Sequence, residues 1–266
     1  MILNDTYKLA FVHIPKCAGT TLRSRIGFLE ERNDFYMNVN VHPEAGPLDY
    51  GHLPLGVLRD FFNEDFEKIS SYWSFAIVRD PYKRFPSSVG QYLRQHSTTP
   101  LYSLTIEKIE AEVVKLIKLL ESGATHTDAQ MALFLPQVDF INLGGKQIVS
   151  DVFHVGELDQ VIDMVSKRIG KELPAFEKGE RQNQSYVYKN SGIRILMNLV
   201  RPIVGEVVGN LPETWRHSLR KALYGDAEKA LEAVFQLQPV KDFVTQFYAL
   251  DIALYQKVVE RRSENR

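Results

Sequence analysis

The chain has 266 residues, 44% of them hydrophobic, which suits one large domain, or one domain with an extension, built on a sizeable core. A net charge of −1 and an isoelectric point near 6.7 leave no basic field for nucleic acid. The single Cys17 excludes an intrachain disulfide and fits a reducing compartment, and the opening Met-Ile-Leu-Asn-Asp lacks the basic segment and apolar core of a signal peptide, so a cytoplasmic location is expected.

Leu9 to Ile14 is short, continuous and apolar, the pattern of a buried central strand. Pro15 breaks it, and the small-residue loop Lys16-Cys17-Ala18-Gly19-Thr20-Thr21 follows. Thr20 or Thr21 is a candidate cap for a helix running to about Glu31. Asp34 to Val41 has strand character, and the Pro- and Gly-rich stretch from His42 to Gly56 predicts a loop that contains Tyr50-Gly51-His52-Leu53-Pro54. Leu55 to Phe62 reads as a short helix. Trp73 to Val78 is a second buried strand, delivering Arg79-Asp80-Pro81 to the start of a helix that runs to about Gln95.

Thr105 to Glu121 is an amphipathic helix with Ile109, Val113, Leu116, Ile117 and Leu120 on one face. Asp128 to Phe134 starts another, before Leu135-Pro136-Gln137. Gln147 to Val155 alternates as a strand does, and Glu157 to Ile169 is a helix stopped by Gly170. After the polar loop Glu180 to Ser185 the chain reads as largely helical. It ends in Val240 to Arg261, where Phe243, Val244, Phe247, Leu250, Leu254 and Val258 form one face. The longest nearly apolar window, Ile195 to Val208, is interrupted by Asn198, Arg201, Pro202 and Glu206 and falls short of the roughly 20 apolar residues that span a bilayer. Strands alternating with helices imply an α/β fold: a P-loop-like, doubly wound, mostly parallel sheet flanked by helices, with a helical C-terminal part. Ligands bind such sheets beyond the C-terminal ends of the strands, where Lys16, His52 and Arg79 fall.

Strand, tight loop and helix is the geometry that sets backbone N–H groups around an anion. Ala18 and Gly19 let the backbone approach closely, Lys16 adds a cation, and Thr20 and Thr21 add hydroxyls. The order is not that of the Walker loop, because Lys16 precedes Gly19 and no Gly-Lys-Ser/Thr occurs here. The plain alternative is an ordinary strand-to-helix turn with a solvated lysine. Arg79 repeats the logic with a planar fork suited to a phosphate, and Ser87 and Ser88 follow in the next helix. Its plain alternative is an ion pair with Asp80 or another carboxylate. Two anion sites on successive strand ends point to a ligand with two separated anionic groups.

His13-Ile-Pro-Lys-Cys-Ala-Gly-Thr-Thr-Leu22 resembles the 5′-phosphosulfate loop of carbohydrate sulfotransferases, and Val78-Arg-Asp-Pro-Tyr-Lys-Arg-Phe-Pro-Ser-Ser88 resembles their 3′-phosphate motif. The branch most similar contains the heparan uronyl 2-O- and chondroitin-type enzymes with bacterial relatives. Pro136-Gln137, Val155-Gly-Glu-Leu158 and Tyr248 to Tyr255 extend the likeness over most of the chain as a single domain, 1–266, most thinly from about 190 to 225. The sequence departs from the family at Cys17 and Ala18, where Thr and Gly are usual, and at Phe134-Leu135, where a basic residue precedes Pro-Gln.

The resemblance implies 3′-phosphoadenosine 5′-phosphosulfate (PAPS) as donor, 3′,5′-ADP as product, no metal, and a glycan or glycolipid hydroxyl as acceptor. It implies that Lys16, Ala18, Gly19, Thr20 and Thr21 hold the 5′ end, that Arg79 and Ser87 hold the 3′-phosphate, and that Lys16 also acts in transfer. His52 resembles the family's catalytic histidine, with His42 and Glu44 as rivals, and His13 is read as structural. Residues 190–225 are read as surface helices, or as an acceptor-side cap or membrane-facing patch. Cys17, beside a cation and a helix start, is either reactive or simply small enough to fit. A P-loop-type nucleotide kinase and a non-catalytic nucleotide-binding protein are the alternative functions.

Overall fold

The computed structural model describes residues 1–33, 35–96, 106–123, 129, 131–176, 186–188, 224–226 and 233–264. Its centre is a four-stranded sheet of β1 (Ile2–Asn4), β2 (Leu9–Val12), β5 (Trp73–Val78) and β8 (Asp151–His154), in the order β1-β2-β5-β8. β2, β5 and β8 run parallel, in a register that pairs Phe11 with Phe75 and Ile77 with Phe153. β1 is an antiparallel edge strand on β2. The apolar runs of β2 and β5 are buried along nearly their whole length because both faces of the sheet are covered. The molecule is therefore α/β with a parallel-containing sheet flanked by helices.

Around the sheet stand α1 (Gly19–Ile26), α2 (Leu55–Phe61), α3 (Asn63–Ser71), α4 (Pro81–His96), α5 (Ile106–Glu121), α6 (Leu158–Ile169), α7 (Gln238–Phe247) and α8 (Ala249–Glu264). One apolar cluster joins the sheet to α1, α2, α3, α6 and Val258 of α8. A second packs Phe85 and Val89 of α4 against α5, Phe134 and α7. Gly170, at φ 67, ends α6 in the left-handed conformation that glycine adopts without strain.

Several expectations change. The helix after the first loop stops at Ile26 and gives way to a short 3-10 turn at Gly27–Leu29, short of Glu31. Thr20 and Thr21 do not cap it. The cap position is Ala18, at φ 61 with no side-chain hydrogen bond, and the threonines lie inside the first turn. Asp34 to Val41 is not one strand: a 3-10 turn at Phe35–Met37 precedes β3 (Val39–His42), which pairs with β4 (Gly46–Asp49) in a separate ribbon. Gly46, at φ 74, makes the ribbon's turn possible inside what reads as loop. Gln147 to Val155 divides between β7 (Lys146–Gln147), which pairs with β6 (Asn142–Leu143), and β8. Of the helix expected from Asp128 to Phe134, the described residues show a 3-10 turn at Ala132–Phe134, and Asp128 and Gln130 lie outside the described residues.

The terminal helix is two helices, α7 and α8, broken at Tyr248, whose hydroxyl donates to the Phe134 carbonyl at 2.8 Å. The break rephases the pattern, so Leu250 is 71% exposed and leaves the apolar face. In the stretch read as largely helical, β9 (Tyr186–Tyr188) and β10 (Tyr224–Asp226) form a two-stranded ribbon instead, in keeping with the β-preference of Tyr-Val-Tyr. The expected loop 180–185 and the segment 190–223 lie outside the described residues.

Candidate active site

The loop between β2 and α1 is held by backbone conformations that are costly for most residues. Lys16 and Ala18 both have positive φ, 65 and 61. Such a reversal turns successive N–H groups inward, as in anion-binding nests. Gly19 is required for a different reason. A Cβ there would stand 1.7 Å from His13 Nε2, because the His13 ring lies directly over the Gly19 backbone. Of the two threonines, Thr20 is exposed and Thr21 half-buried at the start of α1.

β2 and β5 are neighbours, so Arg79 arrives beside this loop, and its Nη1 donates to the Lys16 carbonyl at 3.4 Å. Asp80 does not pair with it; Asp80 Oδ1 accepts the Tyr82 amide at 2.9 Å and caps α4. α4 then presents Arg84, Ser87, Ser88 and Gln91 at three- and four-residue spacings, which places them on one face. Gln91 Oε1 accepts from Lys16 Nζ at 2.8 Å. Ser88 is buried and donates to the Leu133 carbonyl at 2.8 Å, while Ser87 is half-buried. The structure thus brings Lys16, Arg79 and the Ser87 face of α4 to one end of the sheet.

Gln137 locks the two loops together. Its Oε1 accepts from the Arg79 amide at 2.9 Å and from Cys17 Sγ at 3.2 Å, and its Nε2 donates to the Arg79 carbonyl at 2.9 Å. One side-chain amide thereby mimics a strand partner at the end of β5 and seats the loop thiol. Asp251 of α8 accepts the Gln137 and Val138 amides at 2.8 and 3.0 Å. Arg84, 2% exposed, donates to the Pro15 carbonyl at 3.0 Å and to the Leu135 carbonyl at 2.8 Å, with Asp251 3.9 Å away. This polar framework holds the loops after β2 and β5 together from beneath.

Cys17 is fully buried, and burial pushes its thiol up to about 11 despite the nearby Arg84 and Arg79. The structure favours the small-residue reading over the reactive one. In the folded chain Cys17 is expected to resist iodoacetamide at pH 8 and to be labelled on unfolding, as intact-mass measurement would report; rapid native labelling would contradict the buried geometry.

On the other side of the loop, His52 lies in the 3-10 turn Tyr50–His52 that follows β4. Its Nδ1 is 2.7 Å from Asp49 Oδ2, and its ring centroid is 4.5 Å from that of His13. Burial raises the Asp49 carboxyl, but its hydrogen bond with His52, the charge of His52 and the Gly51 amide bring it below its usual value. Burial, then His52, then other neighbouring cations including Arg23 and Lys16, hold the His13 imidazole well below the usual histidine range, so it is neutral at pH 7. His42 is the last residue of β3, beside the ribbon's turn. Its Nδ1 accepts the Glu44 and Ala45 amides at 3.3 Å, and its ring packs on Phe61 and Phe62.

The structure gathers Lys16, Gly19, Arg79 and His52, all singled out by the sequence, around one loop, and adds contacts of Asp49, Gln91, Arg84 and Asp251 that the sequence did not suggest. The Asp-Tyr-Gly-His spacing is a turn signal that could have flagged Asp49. Among the described residues no group of three or more His, Cys, Asp or Glu side chains stands together as a metal site, and no helix is long and apolar enough to cross a membrane.

A family model described as "Sulfotransferase family" matches residues 1–97. The matched segment carries both strand-end loops, α4 and His52. No curated protein and no solved structure matches the chain.

Proposed function

We propose, from the sulfotransferase family match of residues 1–97, that this chain transfers a sulfuryl group from PAPS to a hydroxyl of a carbohydrate or glycoconjugate. The observation that supports this reading is the contact of Arg79 with the Lys16 carbonyl at 3.4 Å, which brings the two strand-end loops together, as a donor with two anionic ends would require. The P-loop-like reading of the sheet rests on the same loop. The loop N–H groups, Thr20 and Thr21 would take the 5′-phosphosulfate, and Arg79 and Ser87 the 3′-phosphate. Lys16 would neutralise charge on the donor oxygens as the sulfur–oxygen bond to phosphate breaks. His52 would take the acceptor's proton as its oxygen bonds to sulfur.

Gln137 and Asp251 tie the matched N-terminal segment to α8, which supports reading the chain as one catalytic domain. The family likeness of the two loops favours the uronyl 2-O-type branch, and the single Cys17 fits a reducing, cytoplasmic location.

Donor identity is tested by thermal shift with 3′,5′-ADP and, separately, with ATP and magnesium. The expected result is stabilisation by 3′,5′-ADP that Arg79→Ala removes; a preference for ATP and magnesium would overturn the assignment. Labelled PAPS offered with a panel of glycans and glycolipids then identifies the acceptor.

A further inference from the structure

Asp49 stands at the end of β4, on the ribbon, and grips the turn that carries His52. One carboxylate oxygen meets His52 Nδ1 at 2.7 Å, and the other accepts the Gly51 amide at 3.0 Å. Because the Gly51 contact pins the carboxylate, its second oxygen has a fixed direction. The fit is close: a Cβ on Gly51 would already stand 3.1 Å from Asp49 Oδ1.

We propose that Asp49 is a positioning residue for the transfer step: it holds His52 as the Nδ1–H tautomer, leaves the Nε2 lone pair for the acceptor hydroxyl, and stabilises the imidazolium that forms when the proton arrives. This rests on reading His52 as the base. An ionised carboxylate can only accept, so the bond between them requires the proton on Nδ1. When the acceptor oxygen bonds to sulfur, the sulfur–oxygen bond to the donor phosphate breaks, and the acceptor proton moves to Nε2. The resulting cation lies against Asp49, and solvent removes its proton before the next turnover.

The other groups around His52 do not supply this counter-charge. His13, at the end of β2, packs its ring on His52 and is neutral. The Met1 amino group donates to the Gly51 carbonyl at 3.2 Å, and burial lowers its pKa to about 5. Arg23 of α1 donates to the Met1 carbonyl at 2.8 Å and is a cation. Glu30, beyond α1, acts on the Met1 amine, whereas Asp49 is bonded to the imidazole itself.

Nitrogen-15 imidazole NMR of the full chain tests the arrangement directly. In the wild type the neutral His52 ring is expected to be protonated on Nδ1 and bare on Nε2. A proton on Nε2 instead would overturn the proposal without any variant. In Asp49→Asn the Nε2–H tautomer is expected to gain population, because Oδ1 still accepts the Gly51 amide and the new amide nitrogen then faces His52 Nδ1 as a donor. PAPS-dependent turnover should fall by about 10²-fold or more, with 3′,5′-ADP binding unchanged. Asp49→Glu is expected to restore part of the Nδ1–H tautomer and of the rate. An unchanged His52 tautomer and rate in Asp49→Asn would overturn the positioning role. The two levels separate cleanly: if His52→Ala keeps its turnover, the base assignment fails; if His52→Ala is inactive while Asp49→Asn behaves as wild type, only the inference about Asp49 fails.

Discussion

His52→Ala is expected to lower sulfuryl turnover by about 10²- to 10⁴-fold, the range for removing a positioned general base, while 3′,5′-ADP affinity is unchanged. The separation follows from where the side chain stands. His52 packs on His13 and bonds to Asp49, on the ribbon side of the β2–α1 loop. Arg79, Gln91 and Gln137 contact Lys16, Cys17 and each other's backbone on the opposite side. Losing the imidazole therefore removes a proton acceptor without touching the groups assigned to the donor. Turnover with labelled PAPS and calorimetric binding of 3′,5′-ADP measure the two sides independently. Turnover within a few-fold of wild type would remove His52 as the base. His42 would be a poor successor, since its Nδ1 is occupied by the Glu44 and Ala45 amides. Exposed Glu44 would then be the residue to replace. A parallel loss of 3′,5′-ADP binding would instead mean that His52 supports the loop through His13, whose ring lies over Gly19.

What could be read from the sequence tracks how local each structural cause is. β5 was bounded to the residue, Trp73 to Val78, because a continuous apolar run covered on both faces has few alternatives. β2 ended two residues short of Ile14, at Val12. The turn from β2 into α1 was legible because strand, small residues and helix are consecutive. β1 was missed because it spans only Ile2–Asn4 and exists by pairing with β2. α3 was missed as well, although Glu64 and Asp65 in its first turn suit a helix start. The break at Tyr248 was invisible because its cause is a carbonyl at Phe134, 114 positions away. The same holds for the site. Lys16 and Arg79 stand where their strands put them, but Gln137 reaches Arg79 over 58 positions and Asp251 over 114. No periodicity encodes such partnerships. Pro136-Gln137 and Asp251 were visible only as fragments of a family likeness, and their physical role, holding two loops in register, needed three dimensions.

That framework makes Arg84→Met the substitution with the largest expected effect on stability. Arg84 is among the largest of the fully buried side chains of the described residues. Its guanidinium donates to the Pro15 and Leu135 carbonyls and faces Asp251 at 3.9 Å. Methionine fills much of the volume, so the cavity term is small. The electrostatic term is not. Asp251 would remain buried without its cation, and two carbonyls would lose their donor in a site that water does not reach. Removing one partner of a buried pair costs about 3–5 kcal/mol, and each orphaned acceptor adds about 1–3 kcal/mol. The Gln137 and Val138 amides continue to bind Asp251 and offset part of the loss. A net loss of about 3–5 kcal/mol is a large share of a domain's total stability, and should appear as a lower urea midpoint with an unchanged slope. A loss under about 1 kcal/mol would mean that the guanidinium's desolvation nearly cancels its bonds. The variant also distinguishes framework from site. Pro15 immediately precedes Lys16, so a folded Arg84→Met chain should bind 3′,5′-ADP more weakly even though Arg84 is buried beneath the loop. Equal binding in the folded fraction would show that Gln137 alone keeps the loop in place.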